Sequence, residues 1–253
     1  MNKNNFEELI EVVRRLRNEC PWDKEQTHDS LRYTMIEECY ESVDAINKKD
    51  FKHLEEELGD LLLNILLHAN IAEENNQFSF ESLMINLKDK LIRRHPHIFL
   101  GEKVENQNEQ IKIWDKIKRE EGKISVLDGL PKTLPSLFRA ERLQEKAAKV
   151  GFDWKNKKDV FEKIKEELNE LEKAETNESK SEIFEEYGDL LFSIVNYARH
   201  LKINSEDALK STNEKFIKRF NFIESEFIKL DKDIYKSNLE ELDEFWNKAK
   251  AIK

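Results

Sequence analysis

Apolar residues recur at every third or fourth position along most of this chain, a spacing that predicts amphipathic α-helices rather than strands. In the first half the pattern predicts helices over residues 6–18, 30–48, 54–74 and 80–94, with a fifth candidate over residues 110–121. Asp50 stands between the second and third of these segments, where an aspartate can cap the start of a helix.

The helical pattern breaks between Gly101 and Pro135, where the polar run ENQNEQ is followed by GLPKTLP. Closely spaced Gly and Pro residues interrupt helices, so we expect a domain boundary here. The sequence therefore predicts an N-terminal domain over residues 1–120, a linker over residues 121–135 and a C-terminal domain over residues 136–253.

The second half of the chain repeats motifs of the first. The segment EECYE at 37–41 is answered by EELNE at 166–170, and EELGDLL at 56–62 by EEYGDLL at 185–191; both pairs are offset by 129 positions (166 − 37 and 185 − 56). Three further pairs keep the same order, namely CPWD with GFDW, KDKLIRRH with NEKFIKRF, and IWDKIK with FWNKAK. Shared motifs in one order indicate a duplication, so we predict an all-α protein of two helical-hairpin domains, each similar to a four-helix bundle.

The composition favours helices and argues against several classes of protein. Charged residues make up 38% of the 253 residues, Gly and Pro number only 6 and 4, and the formal charge is −10. This charge argues against a nucleic-acid surface but not against a small phosphorylated ligand, because a bound cation inverts the local sign. The two cysteines form no disulfide framework, no signal sequence opens the chain, and the longest apolar run, residues 61–69, is too short for a bilayer. We expect a cytoplasmic protein whose partners include neither nucleic acid nor membrane.

Acidic residues spaced three apart form a matching quartet in each half of the chain. The quartets are Glu38, Glu41, Glu57 and Asp60 in the first half, and Glu167, Glu170, Glu186 and Asp189 in the second. Residues three apart share a helix face, and a short hairpin connection brings the two pairs of each half face to face. In so acidic a chain such pairs usually mark a solvated face. Here, however, Asp60 and Asp189 each precede an apolar run that we expect to be buried.

Four carboxylates at such close range require compensation. Two bare carboxylates about 4 Å apart repel by roughly 4 kcal/mol at an effective dielectric near 20, so the quartet is expected to take up protons or a cation. An all-oxygen set favours Mg²⁺ or Mn²⁺ over zinc. Gly59 and Gly188, beside the acids, predict that another helix or a ligand approaches closely.

Taken together, these motifs resemble the MazG family, nucleoside triphosphate pyrophosphohydrolases of the all-α NTP pyrophosphatase superfamily. The resemblance covers essentially the whole chain and rests on EECYESVDAI, EELGDLLLNILLHA, CPWDKEQTH and LIRRHPHIF. It implies Mg²⁺-dependent cleavage of NTPs or dNTPs to the monophosphate and pyrophosphate, with Mn²⁺ as a substitute, in nucleotide pool control or house-cleaning.

The same resemblance implies roles for particular residues of the second half. The implied metal ligands are Glu167, Glu170, Glu186 and Asp189, which together with Lys215 and Arg219 are the implied catalytic residues. The implied nucleotide contacts are Lys163, Glu166, Glu167, Glu185, Asp189, Lys215, Arg219 and Trp246. The first-half quartet is an additional implied metal set, which need not be catalytic. The family can carry a lysine just before EExGD, but residues 181–184 read SEIF here, so we assign no phosphate contact to that segment.

Several of these features have other interpretations. The basic pairs in KDKLIRRH and NEKFIKRF also fit solvated helix faces, and Trp154 and Trp246 also fit core or interface anchors. No P-loop or Rossmann glycine motif is present. The alternative to an enzyme is a non-catalytic helical module that binds nucleotides or other proteins.

Two expectations concern the whole chain. The apolar runs in both halves predict a homodimer, in which a second copy covers them. Pro96 predicts that the preceding helix ends near Arg94, whereas Lys215 and Arg219 lie within an unbroken helical pattern. We therefore expect the C-terminal half to perform most of the catalysis.

Overall fold

The computed structural model describes residues 3–101, 106, 109–110, 113–114, 117, 120–122 and 124–251, with side chains described from residue 5 onward. Throughout these residues helices are the only regular structure, which confirms the all-α prediction. None of the described helices has both the length and the apolar character that crossing a membrane requires.

The chain divides into two compact units, Met1–Glu121 and Gly122–Lys253. The helices described in the first unit are α1 (Lys3–Glu19), α2 (Pro21–Glu25), α3 (His28–Lys48), α4 (Phe51–Glu74), α5 (Phe80–Arg94) and α6 (Pro96–Phe99). Those of the second unit are α7 (Ser136–Ala148), α8 (Lys157–Thr176), α9 (Lys180–His200), α10 (Ser205–Lys229), a 3₁₀ turn (Ile234–Lys236) and α11 (Leu239–Ala251).

Most of the segment that the sequence assigns to a linker belongs to the second unit. The ammonium group of Lys146 in α7 donates to the backbone carbonyls of Val126 and Asp128, at 3.2 and 2.7 Å. These bonds attach the segment before α7 to the body of the second unit.

Both units are built around a helical hairpin, and in both the turn contains a residue with positive φ followed by a side chain that caps the next helix. Between α3 and α4 the chain reverses at Lys49, which has φ 57°, and Asp50 accepts a hydrogen bond from the backbone N–H of His53 at 3.1 Å. Between α8 and α9 the corresponding turn has Glu178 at φ 55° and a Ser179 cap. The predicted helix cap at Asp50 is confirmed.

The core of the first unit forms where α1 and α5 pack against α4. Its buried members are Val13, Leu31, Leu66, Leu67, Ala69, Ile71 and Phe80. The apolar run of α4 is thus buried over its second half, as the sequence predicts.

The apolar run of α9 in the second unit differs. Leu191, Phe192 and Ile194 are 40, 43 and 44% exposed, although Val195 beside them is buried. The expectation that this run would be buried is therefore wrong for the single chain. Helix α7 covers one face of α9, while the main apolar cluster of the unit lies between α10 and α11.

The glycines beside the acidic motifs do not mark a close approach within the chain. At both Gly59 and Gly188, no described atom outside the local helix lies within 4 Å of a Cβ built on the backbone. Both glycines are exposed, and no helix among the described residues crosses the hairpin at either position.

The end of α5 agrees with the sequence. The helix ends at Arg94, and His95 leaves helical geometry before Pro96 begins the short α6. In the fifth candidate helix, the described positions Gln110, Ile113, Trp114, Ile117 and Glu120 are helical, and the other positions of 110–120 lie outside the described residues.

Candidate functional site

The carboxylate cluster of the second unit lies across the α8–α9 hairpin. One carboxylate oxygen from each of Glu167, Glu186 and Asp189 lies within 4.8 Å of the others. Glu170 is not part of this tightest group, but its charge contributes to raising the pKa of Glu186. Partial desolvation is the larger cause of that shift, and the other acids of the cluster, including Glu185, act in the same direction.

A lysine already compensates the most buried of these acids. Glu167 is only 5% exposed, and the ammonium of Lys163, one turn earlier on α8, lies 2.7 Å from its carboxylate. The same ammonium lies 2.8 Å from Glu166, and the two hydrogen bonds raise the pKa of Lys163. Lys163, Glu166 and Glu167 therefore form a local ion-pair group at the edge of the cluster.

The first unit has an equivalent cluster across the α3–α4 hairpin. Oxygens of Glu38, Glu41 and Glu57 lie within 4.8 Å of one another. Desolvation, a hydrogen bond with Glu57 and the neighbouring charges of Asp60 and Glu41 raise the pKa of Glu38 to about 7. His53 lies 3.1 Å from the buried Glu57. A proton on Glu38 thus relieves part of the crowding in this half.

Both clusters have the properties that a hard divalent cation requires. Each offers three carboxylate oxygens at mutual distances short enough to face one ion, with no sulfur or imidazole in the group. Desolvation first, and then the neighbouring acids, raise the pKa of both Glu38 and Glu186, and a bound cation would offset both effects. The donor sets therefore fit a metal such as Mg²⁺ or Mn²⁺.

The basic residues predicted to grip phosphates form a separate group on α10 and α11. Lys215 and Arg219 line a cavity of about 190 Å³, and the guanidinium of Arg219 lies 5.5 Å from the centre of the Trp246 ring. Phe216 packs against the same ring at 5.2 Å. Lys215, Arg219 and Trp246 are thus close together, but they do not line the cavity beside Glu167.

In the first unit Arg94, the counterpart of Arg219, and its neighbour Arg93 are already paired with a carboxylate. Arg93 and Arg94, at the end of α5, both bind the carboxylate of Glu121, at 2.6 and 2.5 Å. The hydrogen bond from Arg94, and after it the one from Arg93, lowers the pKa of Glu121 to about 2. An internal carboxylate therefore stands where an anionic ligand of this half would have to bind.

A second cavity, of about 480 Å³, adjoins the cluster in the second unit. Glu167, Asp189 and Lys163 line one part of it, and apolar side chains line most of the rest. Two buried amides, Gln144 and Asn196, also line it, and neither belongs to a predicted site. No sequence motif marks either of them.

A profile of known families matches both hairpins. The family described as the MazG nucleotide pyrophosphohydrolase domain matches residues 26–99 and again residues 155–222. The chain belongs to the MazG family. The two MazG segments contain both carboxylate quartets, and the second also contains Lys163, Lys215 and Arg219, while Trp246 lies beyond it.

The MazG relationship extends over nearly the whole chain. A nucleoside triphosphate pyrophosphohydrolase/pyrophosphatase MazG from Thermotoga maritima is 44% identical over 251 residues, covering 97% of this chain and 96% of that protein. A nucleoside triphosphate pyrophosphohydrolase from Escherichia coli K12 is 40% identical over 256 residues, covering 98 and 97%. The crystal structure of a mazG-related protein from Thermotoga maritima is 33% identical with a TM-score of 0.41, covering 45% of this chain and 98% of that one.

Proposed function

We propose that this chain hydrolyses nucleoside triphosphates at the bond between the α and β phosphates, giving a nucleoside monophosphate and pyrophosphate, with Mg²⁺ or Mn²⁺ as its metal. The observation that carries the proposal is the convergence of Glu167, Glu186 and Asp189 within 4.8 Å, beside a cavity of about 480 Å³. The names of the two relatives that match nearly the whole chain support the substrate class and the reaction type.

In this proposal Glu167, Glu170, Glu186 and Asp189 hold the metal. Mg²⁺ bound there would polarise the phosphoryl oxygens and lower the pKa of a bound water. Lys163 now compensates the buried Glu167 at 2.7 Å. Once a cation takes over that compensation, the ammonium is close enough to the cluster to donate to a phosphate oxygen instead.

Lys215, Arg219 and Trp246 are proposed to grip the phosphates and contact the nucleotide. Lys215 and Arg219 line a cavity other than the one beside Glu167, so this role requires a movement of α10 or residues from a second copy of the chain. Two cations on successive turns of one helix suit a triphosphate, whose charge increases as the leaving pyrophosphate departs.

We assign the main catalytic role to the C-terminal half. Arg94 is neutralised by Glu121, whereas among the described residues no carboxylate forms an ion pair with Arg219. The first half then serves assembly, regulation or a different substrate.

The homodimer remains part of the proposal. An exposed apolar stripe runs along one face of α9, formed by Phe184, Tyr187, Leu191 and Ile194, which are 82, 56, 40 and 44% exposed. The spacing of three and four residues places these side chains in line. A second copy of the same hairpin would bury such a stripe by helix packing.

Product analysis tests the proposed reaction. The chain is incubated with each common NTP and Mg²⁺, and the products are separated by chromatography. We expect a monophosphate and pyrophosphate, no orthophosphate until a pyrophosphatase is added, and loss of turnover in EDTA that Mg²⁺ or Mn²⁺ reverses. Release of orthophosphate with a diphosphate would contradict the reaction. Tight nucleotide binding without any product would favour the non-catalytic binding module.

A further inference from the structure

Two arginines at the end of α5 converge on one carboxylate. Glu121 Oε1 accepts from Nε and Nη2 of Arg93, at 2.8 and 2.6 Å, and from Nε of Arg94 at 3.3 Å. Its Oε2 accepts from Nη2 of Arg94 at 2.5 Å. Two guanidinium groups thus direct their N–H donors at one anionic group, which is also how arginine side chains hold a phosphate.

The charges in this contact do not balance. Arg93 and Arg94 carry two positive charges and Glu121 supplies one negative charge, so one positive charge is left over in a chain whose formal charge is −10. A phosphate group carries about −1.5 to −2 charges at pH 7 and has three acceptor oxygens. A phosphate therefore matches the charge and the donors of the two arginines better than a carboxylate does.

The contact lies at the surface, where an ion from solution can reach it. The side chains of Arg93, Arg94 and Glu121 are 54, 24 and 20% exposed. Ion pairs at such positions are weakened by salt, and they separate without exposing a hydrophobic core. Glu121 can therefore leave the arginines while the first unit stays folded.

The second half carries the equivalent cations without an internal carboxylate. When KDKLIRRH is aligned with NEKFIKRF, Arg93 corresponds to Lys218 (93 + 125). Arg94 corresponds in the same way to Arg219. Lys218 and Arg219 line the cavity of about 190 Å³, and among the described residues no carboxylate forms an ion pair with either. One copy of the duplicated helix thus presents its cations to a cavity, and the other presents them to Glu121.

Glu121 lies where the chain passes from one unit to the next. It is the last residue of the first unit, and Gly122, with φ 91°, is the first residue of the second. Trp114, seven positions before Glu121, packs edge-on against His95 at 5.4 Å. The bonds from Arg93 and Arg94 therefore attach to α5 the residue that directly precedes the second unit.

We propose that Arg93 and Arg94 form a binding site for a phosphate group in the N-terminal half, and that Glu121 occupies this site as an internal competitor. A phosphate-bearing anion that binds there displaces Glu121 and releases the chain directly before the second unit. The inference goes beyond the proposed function, because it requires neither the carboxylate clusters nor NTP hydrolysis.

The first test measures anion binding by the full chain in EDTA, so that the carboxylate clusters hold no metal. Calorimetric titrations with orthophosphate and with AMP compare the wild type with Glu121→Gln. We expect the variant to bind both anions roughly tenfold more tightly, because the competing carboxylate is lost. The probe with the larger gain shows whether the site prefers free phosphate or the phosphate of a nucleotide. Adding Arg93→Gln and Arg94→Gln to Glu121→Gln should abolish the gain, whatever the second half binds.

The matched control is Glu81→Gln, which removes the same charge from an exposed position in the first turn of α5. Twelve residues separate Glu81 from Arg93, about 18 Å along the helix, which exceeds the Debye length of about 10 Å at 0.1 M salt. The control should therefore leave both affinities unchanged. Equal affinities of wild type and Glu121→Gln for both anions would overturn the proposal.

A second test needs no variant and so does not depend on how a substitution folds. Arg119 and Lys123 flank Glu121 and are cleavage sites for trypsin. Orthophosphate should accelerate cleavage of the wild-type chain at these two positions, relative to chloride at the same ionic strength. Cleavage of a free peptide serves as the control for trypsin itself. Cleavage at Arg119 and Lys123 that does not respond to phosphate would contradict the release of Glu121.

Discussion

At the scale of residues, the two halves relieve the same crowding of carboxylates by different means. In the second unit the ammonium of Lys163 stands 2.7 Å from the buried Glu167. The corresponding position in the first unit is Thr34 (163 − 129), and there the pKa of Glu38 is raised to about 7 instead. One cluster therefore contains a built-in cation and the other takes up a proton, although the carboxylates of the two motifs are the same.

Replacing Lys163 by methionine tests the built-in cation. Glu167 would be left buried without its partner, so we expect the metal-free protein to lose about 1–3 kcal/mol of unfolding free energy in urea. Mg²⁺ should recover part of that loss. Lys165→Met is the matched control, because Lys165 pairs with the exposed Glu162 on the same helix and such pairs contribute about 1 kcal/mol or less. Equal effects of the two substitutions would contradict the role of Lys163.

The pH dependence of stability tests the protonated cluster. Because the pKa of Glu38 rises from 4.5 to about 7 on folding, the folded state binds its proton more tightly than the unfolded state. The resulting stabilisation is fully present below pH 4.5 and is lost as the pH rises through 7. In EDTA, the thermal midpoint should therefore fall between about pH 5 and 8, and Glu38→Gln should reduce that fall. Identical pH profiles for wild type and variant would rule out the assignment.

At the scale of elements, the sequence predicts what depends on local patterns. The bounds of α5 and the Asp50 cap follow from proline and capping rules, and both agree with the structure. The burial of α9 could not be predicted, because an apolar run does not indicate whether its own chain or another copy covers it. Gln144 and Asn196 escaped notice for a related reason. They meet only through the packing of α7 on α9, which no local pattern encodes.

The glycine in the second acidic motif gives a prediction at this scale. Gly188 lies within α9, and a Cβ there would meet no described atom within 4 Å. Gly188→Ala should therefore stabilise the chain by about 0.5–1 kcal/mol, measured by urea unfolding at low protein concentration. If the glycine serves the approach of a second copy or a ligand, dimer formation or turnover falls at the same time. If Gly188→Ala instead lowers the unfolding free energy of the isolated chain, the added methyl group must meet a steric clash, which would contradict the prediction.

At the scale of the whole molecule, the exposed apolar stripe on α9 is the basis of the proposed homodimer. The repeat was visible in the sequence because both acidic motifs recur at one offset. The stripe on α9 became visible only when the fold showed which of its residues stay exposed. Light scattering at micromolar concentration should give twice the chain mass of 30.2 kDa, and Leu191→Asp with Ile194→Asp should shift the protein towards monomer. A wild-type monomer would remove the dimer from the account.

The central claim is that the C-terminal cluster hydrolyses NTPs to pyrophosphate. The most direct measurement is the rate of pyrophosphate release by two matched variants, Glu57→Gln with Asp60→Asn and Glu186→Gln with Asp189→Asn, under saturating NTP and Mg²⁺. Each pair replaces two metal-ligand candidates by near-isosteric amides at equivalent positions of the duplication. We expect the second variant to lose nearly all activity and the first to retain most of it. The reverse ranking would contradict the account.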